Sequence, residues 1–216
     1  MMKTVNACFL YDQISASFDK LLAMAIAHPA QLICFFAALF FFHASEFLLA
    51  LFFHGPSKVS SSSLLFSKQY LFAMVCGLLE YSIEGTFVPE LKSNMQISYI
   101  GVALVITGEA VRKAAILTAR QNFTHDIKIF HRENHELVTR GIYRFFRHPS
   151  YLGFFLWSIG TQVLLINPLC IVGYTLVTWR YFSQRILYEE FFLRQFFGRQ
   201  YTEYANRVSS GIPFVK

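Results

Sequence analysis

The sequence predicts an all-α polytopic integral membrane helical bundle with a C-terminal helical hairpin, a long cytosolic loop and an interfacial C-terminal helix. Three observations lead to this fold class. Of the 216 residues, 55% are hydrophobic and only 15% are charged, whereas soluble domains carry about 25% charged residues. The apolar residues form stretches of membrane-spanning length. The basic residues are concentrated between and after the later stretches.

Five apolar stretches define the predicted helices. The three long ones are Ala30–Phe53, Tyr70–Val88 and Ile97–Leu117, and each approaches or exceeds the roughly 20 residues that a spanning helix requires. Two shorter stretches, Tyr151–Ile166 and Leu169–Trp179, are separated by Asn167-Pro168. Because proline cannot continue a helix without losing a hydrogen bond, they predict a helical hairpin. Residues 5–27 contain three charges, and whether they span the membrane stays open.

The distribution of positive charge predicts the topology. Six basic residues lie in the loop Thr118–Ser150 and more lie in the tail from Arg180, whereas the connection Val88–Gln96 contains only Lys92. The positive-inside rule therefore places the long loop and the tail in the cytosol. The net charge of +6 does not indicate nucleic acid as a partner, because the basic residues alternate with apolar spans.

The C-terminal tail and two glycine pairs complete the predicted architecture. Aromatic residues at nearly helical spacing in Glu189–Val208 predict an interfacial amphipathic helix. Gly101 and Gly108 share a seven-residue step with Gly153 and Gly160, which indicates close packing of two helices. We divide the chain into N-terminal transmembrane helices at 1–117 and a second region at 118–216.

Several charged residues lie within the predicted spans. They are Glu46, Glu80, Glu84, Glu109, Arg112 and Lys113. A charge at the centre of a span costs about 2.5–3.5 kcal/mol even on lenient scales. Two explanations are open: the charges pair with one another near the membrane face, or they surround a polar cavity between helices. Glu109 and Lys113 are four residues apart in the favourable order for a helical ion pair.

Common motifs of soluble enzymes and metal sites are not found in the sequence. His131 and His135 are four residues apart, but Thr139 stands where a zinc signature places its second histidine. We therefore expect no metal. The four cysteines lie in apolar surroundings without ligand or redox spacing, which is typical of buried thiols. Arg185 and Glu189 are four residues apart and therefore share one helix face. Two interpretations stay open: the two side chains form a surface salt bridge with each other, or each binds a separate ligand.

One long motif and several shorter segments occur together in the second half of the chain. The long motif is Leu137-Val138-Thr139-x-Gly141-Ile142-Tyr143-x-x-x-Arg147-His148-Pro149-Ser150-Tyr151-x-Gly153. The shorter segments are Gly108-Glu109-x-x-Arg112-Lys113-Ala114-Ala115, Asn122-Phe123-x-His125, Trp157–Gln162, Asn167-Pro168, Arg185, Glu189-Glu190, Phe196–Gly198, Tyr201-x-x-Tyr204 and Gly211–Phe214. With these motifs the chain, from about residue 43 to its end, resembles the isoprenylcysteine carboxyl methyltransferase family. Animal members carry additional N-terminal spans, and this chain begins near their third span.

The resemblance implies a function at the membrane border. A methyl group would pass from S-adenosylmethionine to the C-terminal carboxylate of a prenylated cysteine in processed C-a-a-X proteins, leaving S-adenosylhomocysteine. The enzyme would reside in the endoplasmic reticulum membrane and contact membrane lipid, and its cytosolic loop would be a cofactor-binding loop. The region 118–216 would then be the catalytic region.

The resemblance also implies site residues. Arg185 would hold the substrate carboxylate. The cofactor would be bound by Lys128, His135, Glu136, Leu137, Val138, Tyr143, His148, Pro149, Ser150, Tyr151 and Glu189. Because the Arg-His-Pro-x-Tyr-x-Gly segment also occurs in other membrane enzymes, a phospholipid N-methyltransferase and a membrane reductase with a nicotinamide cofactor stay open as alternatives. A non-catalytic membrane scaffold is a further alternative.

Overall fold

A computed structural model describes residues 29–56, 65–131 and 136–216, and these are almost entirely helical. In chain order the helices are α1 (Pro29–His54), α2 (Lys68–Phe87), α3 (Pro89–Lys92), α4 (Met95–Ala119), α5 (Pro149–Leu164) and α6 (Pro168–Arg207). By length and composition, α1 is the one described helix that is apolar enough to cross a membrane. The stretch 5–27 and the site candidate His135 lie outside the described residues.

The predicted hairpin is present, but its second arm is longer than expected. Pro149 opens α5 and Pro168 opens α6, each at the first turn where a missing amide hydrogen costs nothing. The helix predicted at Glu189–Val208 is present up to Arg207, but it continues directly from the second arm of the hairpin, because α6 runs from Pro168 to Arg207. No proline or glycine interrupts it between residues 174 and 197. At Gly198 the backbone takes φ 51° and kinks the helix.

Glycines bring α4 and α5 into backbone contact, as their seven-residue step predicted. A Cβ atom on Gly101 would lie 2.1 Å from the amide nitrogen of Leu164. A Cβ atom on Gly108 would lie 2.5 Å from the amide nitrogen of Trp157. Real Cβ atoms do not approach backbone so closely, so only glycine permits this packing. The packing against α4 therefore fixes the position of α5, including its first turn, which contains the predicted site residues Pro149 to Tyr151.

Most of the charges predicted within spans are paired with one another. The two oxygens of Glu46 accept hydrogen bonds from Nε and Nη2 of Arg112, each at 2.8 Å. Lys113 lies 2.6 Å from Glu46 and 3.3 Å from Glu109. The pairing that the first of the two explanations predicted is therefore observed for this cluster, and its position relative to the membrane face stays a prediction. Arg112 also donates to the carbonyl of Ser150 at 3.1 Å and thereby secures the first turn of α5.

A second polar cluster lies at the opposite end of the bundle, around the tip of the hairpin. The side chain of Lys92 is fully buried. Its ammonium donates to the carbonyls of Leu165 and Ile166 at 3.0 and 2.7 Å, to Asn167 Oδ1 at 3.0 Å and to Glu84 at 2.6 Å. These four acceptors share the three N–H groups of the ammonium, so the cation is satisfied and the turn between α5 and α6 is fixed.

Candidate functional site

An open cavity lies where the long loop, the start of α5 and the second half of α6 meet. The empty space within its walls is about 860 Å³, a figure that includes open solvent at the mouth. The lining residues are Ala119, Asn122, Phe123, Thr124, Asp126, Lys128, Glu136, Leu137, Val138, Tyr143, Arg147, His148, Ser150, Tyr151, Glu189, Leu193, Phe196, Phe197, Tyr201 and Tyr204. The cavity therefore combines segments that are far apart in sequence.

Most of the candidates predicted from the sequence line this cavity. Those that do are Lys128, Glu136, Leu137, Val138, Tyr143, His148, Ser150, Tyr151 and Glu189. Pro149 is buried between two lining residues and opens α5. Arg185 does not line the cavity but contacts Tyr151, which does.

Tyr151 is at the centre of the polar contacts. Its hydroxyl donates a 2.5 Å hydrogen bond to Oε2 of Glu189 and accepts a 3.0 Å bond from Nε of Arg185. Its ring stacks on His148 at 5.4 Å and on Phe182 at 4.9 Å. Packing on both faces leaves the ring one orientation, so its hydroxyl stays between the two charged side chains.

Arg185 and Glu189 do not pair directly with each other in the described part of the chain. Arg185 instead donates to the hydroxyls of Tyr151 and Tyr181, the latter at 3.2 Å, and to the carbonyl of His125. A guanidinium carries five N–H groups, so two of them stay available. Separate ligands for Arg185 and Glu189, one of the two alternatives from the sequence, agree with this arrangement.

A buried ion cluster forms the cavity wall behind Glu189. Glu190 accepts from Arg147 at 2.8 Å and from His148 at 3.1 Å. Burial alone would raise the pKa of Glu190, but the hydrogen bonds and charges of His148 and Arg147 outweigh it and lower the pKa to about 2. Sequence reasoning did not name Arg147 or Glu190 as site residues. The sequence could have indicated both residues, because each is adjacent in the chain to a predicted site residue, His148 or Glu189.

Arg147 also fastens the C-terminal segment across the site. Its guanidinium donates to the carbonyls of Ala205 and Val208. Its backbone amide donates to Ser209 at 2.8 Å, and the amide of His148 donates to Ser210 at 3.1 Å. The strip that begins α5 is therefore held between α6 and the chain terminus.

An aromatic wall closes the other side of the cavity. It consists of four aromatic residues, Phe196, Phe197, Tyr201 and Tyr204, together with Leu193, and these residues lie on both sides of the kink at Gly198. The hydroxyl of Tyr204 donates to the carbonyl of Tyr143 at 2.6 Å. Burial raises the pKa of Tyr204 to about 12 and also raises the pKa of Tyr143. Both phenols are therefore protonated at neutral pH.

His125 joins the site to the charged cluster around Glu46. Its carbonyl accepts from Arg185, and its ring nitrogen lies 3.7 Å from Glu46. Burial lowers the pKa of His125 to about 4, against the opposing charge of Glu46. The ring is neutral near pH 7, so the contact is not an ion pair there.

The chain is similar over most of its length to several known proteins. It is 53% identical over 191 residues to the probable protein-S-isoprenylcysteine O-methyltransferase of Oryza sativa subsp. indica, which covers 88% of this chain and 100% of that protein. This chain belongs to the isoprenylcysteine carboxyl methyltransferase family. The family's sequence model matches residues 101–195, which extend from α4 through the cavity-lining loop and α5 into α6.

Two further relatives of the isoprenylcysteine carboxyl methyltransferase family show how widely the similarity extends. Protein-S-isoprenylcysteine O-methyltransferase B of Arabidopsis thaliana is 55% identical over 86% of this chain and 94% of its own length. The Homo sapiens protein-S-isoprenylcysteine O-methyltransferase is 41% identical over 98% of this chain and 74% of its own length.

A solved structure in the isoprenylcysteine carboxyl methyltransferase family has the same fold. It is described as the eukaryotic intramembrane Ras methyltransferase, is 46% identical, and superposes with a TM-score of 0.81 over 84% of this chain and 65% of that chain. The predicted all-helical integral membrane fold is thereby confirmed.

Proposed function

We propose that this chain transfers a methyl group from S-adenosylmethionine to the C-terminal carboxylate of a prenylated cysteine in processed C-a-a-X proteins. The products are a methyl ester and S-adenosylhomocysteine. The observation that carries the proposal is the Tyr151 hydroxyl, which links Glu189 in the cavity to Arg185 beside it. The relatives named protein-S-isoprenylcysteine O-methyltransferase support the same acceptor.

The cavity suits a molecule with a charged polar part and a flat aromatic part. Glu189 offers a carboxylate to an ammonium or to ribose hydroxyls. The aromatic wall offers surfaces against which a purine can pack. The proposed cofactor contacts also include Lys128, His135 and Glu136 through Val138, Tyr143, and His148 through Tyr151. Together these features support S-adenosylmethionine as the methyl donor.

The reaction requires little acid–base catalysis by the protein. When bound, S-adenosylmethionine supplies a methyl group on a positively charged sulfur, which departs as a neutral thioether. A terminal carboxylate has an ordinary pKa of roughly 3.5, so it is ionised at neutral pH and needs no general base. The tasks of the chain are therefore to align the carboxylate and to exclude water from it.

Arg185 is the residue that we assign to the substrate carboxylate. Three of its N–H groups hold Tyr151, Tyr181 and His125, which fixes the plane of the guanidinium. The remaining donors can bind one carboxylate oxygen and leave the other free to attack. A guanidinium that held both oxygens would lower their nucleophilicity.

The surface of the bundle supports entry of the prenyl chain from the bilayer. Large apolar side chains are exposed along several helices, among them Phe40, Phe72 and Val177 at 76%, 71% and 68%. Such faces match contact with membrane lipid. A greasy prenyl group can arrive between helices, while the polar donor reaches the open cavity from water.

We place the protein in the endoplasmic reticulum membrane as a multi-pass protein with the loop and the C-terminus in the cytosol. The concentration of basic residues in those two segments supports this topology, and the endoplasmic reticulum is what the family resemblance implies. In this scheme residues 1–117 form the N-terminal transmembrane helices and residues 118–216 the catalytic region. The close packing of α4 on α5 joins the two regions.

The proposal is tested with purified protein in detergent, labelled S-adenosylmethionine and a farnesylated cysteine analogue. We expect a labelled methyl ester that mild base hydrolyses. Methylated phospholipid amines resist the same treatment, so a base-resistant product would identify a phospholipid N-methyltransferase instead. Protein that is folded and binds S-adenosylhomocysteine but forms no ester would refute the proposed acceptor.

A further inference from the structure

We propose that His125 is a positioning residue for the acceptor-binding Arg185, and that α1 holds His125 in place through His54 and Glu46. The inference rests on the proposed function, because it takes Arg185 as the residue that binds the substrate carboxylate. His125 belongs to one of the segments that carry the family resemblance, but the resemblance gives it no role. The role follows from contacts that run from α1 through the loop to α6.

The backbone carbonyl of His125 is one of three acceptors that hold the guanidinium of Arg185. It accepts from Nη2, while the hydroxyl of Tyr151 accepts from Nε at 3.0 Å and that of Tyr181 from Nη1 at 3.2 Å. The side chain of Tyr181 is largely exposed, so water competes for that bond. The orientation of the guanidinium therefore depends mainly on Tyr151 of α5 and on where the loop places the carbonyl of His125.

Two contacts with α1 hold this part of the loop. Nε2 of His54, in the last turn of α1, donates to the carbonyl of Phe123 at 2.9 Å. The ring of His125 packs edge-on against Phe123, with ring centroids 5.4 Å apart, and its Nε2 lies 3.7 Å from Glu46. The side chain of His125 is only 21% exposed. The loop is thus anchored on α1 immediately before and at the residue whose carbonyl holds the guanidinium.

Glu46 is a rigid base for this anchor, because it is itself fully bonded and buried. Its two oxygens accept from Nε and Nη2 of Arg112, each at 2.8 Å. Arg112 also donates to the carbonyl of Ser150, which precedes Tyr151, at 3.1 Å. The loop carbonyl and the hydroxyl of Tyr151 are therefore both tied to one carboxylate of α1. None of the described residues that line the cavity belongs to α1, so α1 acts on the guanidinium through these two intermediaries.

The arrangement predicts a selective effect on carboxylate binding. A guanidinium binds a carboxylate through directed N–H groups in one plane. If the ring of His125 is removed, the loop can shift away from α1 and take the carbonyl with it. The guanidinium then loses its alignment, and a misplacement of about 1 Å can cost on the order of 100-fold in rate. Binding of the prenyl part does not require this alignment.

The test measures how strongly the protein distinguishes a carboxylate from a neutral group. Full-length variants in detergent, with S-adenosylhomocysteine present, are titrated with farnesylcysteine and with its carboxamide. The wild-type chain should bind the acid roughly tenfold or more tightly than the amide, the range of one charged hydrogen bond. His125→Ala should lower this ratio at least about threefold, while the affinity for the amide should change less than about twofold.

His54→Phe and His43→Phe are a matched pair that tests the anchor on α1. Each keeps an aromatic ring and removes one ring hydrogen bond, at 2.9 Å to the carbonyl of Phe123 or at 2.8 Å to the hydroxyl of Tyr70. Because Tyr70 belongs to α2, His43→Phe should lower the unfolding temperature and leave the ratio unchanged. His54→Phe should lower the ratio as His125→Ala does, and it answers the question even if His125→Ala fails to fold.

Arg185→Ala is the reference for both variants. Its ratio should fall to about one, and adding His125→Ala should not change it further, because His125 acts through the guanidinium. An unchanged ratio in folded His54→Phe, or an equal fall in His43→Phe, would overturn the inference. A wild-type chain that binds acid and amide equally would instead overturn the assignment of Arg185. A wild-type chain that forms no methyl ester would overturn the proposed function, which is a separate result.

Discussion

The hydroxyl of Tyr151 donates to Glu189 at 2.5 Å while it accepts from Arg185 at 3.0 Å. A single oxygen thus lies between the residue proposed to hold the methyl donor and the residue proposed to hold the acceptor. A shift of either charged side chain changes the hydrogen bond available to the other. We therefore expect the two substrates of the proposed reaction to be coupled through one phenol.

Replacing Tyr151 with phenylalanine should impair both substrates at once. The ring and its stacking are kept, but two hydrogen bonds to charged groups are lost, each worth about 1.5–3 kcal/mol. We expect kcat/KM to fall on the order of 10- to 100-fold for the prenylcysteine analogue and for S-adenosylmethionine alike. Steady-state kinetics with each substrate varied in turn measures the effect.

Tyr181→Phe is the matched control for Tyr151→Phe. Its hydroxyl also accepts from Arg185, at 3.2 Å, but the side chain is largely exposed. Water can replace a hydroxyl at that position, so we expect less than about a threefold change. A larger loss in Tyr181→Phe than in Tyr151→Phe would contradict the coupling role of Tyr151.

Removing the guanidinium of Arg185 should act on the acceptor more than on the donor. Arg185→Ala should lower kcat/KM for the prenylcysteine analogue by about 100-fold or more, because a carboxylate then lacks its charged partner. The affinity for S-adenosylhomocysteine should change less. Arg180→Ala, an exposed arginine on the same helix, is the control. The reverse order of effects in Arg185→Ala would refute its assignment.

The charge of Glu190 should make the stability of the site depend on pH. The pKa of Glu190 is about 2 in the folded chain against an ordinary value of 4.5. A depressed pKa contributes stability above pH 4.5 that is lost as the pH falls toward 2. Thermal unfolding between pH 6 and pH 3 should therefore show a steeper loss for the wild-type chain than for Glu190→Gln.

The matched control for Glu190→Gln is Glu203→Gln. Glu203 also pairs with an arginine, Arg199 at 2.6 Å, but both side chains are exposed. Exposed ion pairs contribute about 0–1 kcal/mol, so this variant should follow the wild-type pH dependence. At neutral pH we expect Glu190→Gln to lose more stability than Glu203→Gln, because Arg147 keeps no full charge partner. Equal curves for all three proteins would disprove the role of Glu190.

Adding a methyl group at Gly101 should disrupt the helix pair. The new Cβ atom would lie 2.1 Å from backbone of α5, which cannot move aside as a side chain can. We expect Gly101→Ala to lower the stability by about 3 kcal/mol, the upper end of overpacking costs. Gly173→Ala on α6, where no atom lies within 4 Å, should be neutral or stabilising. Unfolding in detergent compares the two variants.

Local sequence signals predicted the helices and failed where a signal was missing. Apolar length together with Pro149 and Pro168 predicted the hairpin, and the seven-residue glycine step predicted how α4 meets α5. The prediction left residues 180–188 outside any helix, although no proline or glycine interrupts α6 between residues 174 and 197. The kink in α6 lies at Gly198, whose positive φ the sequence does not reveal.

The composition of the site was only partly predictable for a related reason. Motif positions identified residues that line the cavity, but not the bonds between them. Arg147 holds the C-terminal segment, and Tyr151 bridges Arg185 and Glu189. These contacts join residues that are 34 to 61 positions apart in the sequence. Such pairings depend on how helices are placed, which neighbours in the sequence do not encode.

The buried Lys92 has a consequence for how the protein is made. Glu84 precedes it in the chain, but the carbonyls of Leu165 and Ile166 are synthesised more than 70 residues later. Until the hairpin arrives, the ammonium has one charged partner from its own neighbourhood. We therefore expect the helices before the hairpin to hold an incompletely bonded cation until α5 and α6 pack against them. On this expectation the last contacts of Lys92 form only after residues 165 and 166 have been synthesised.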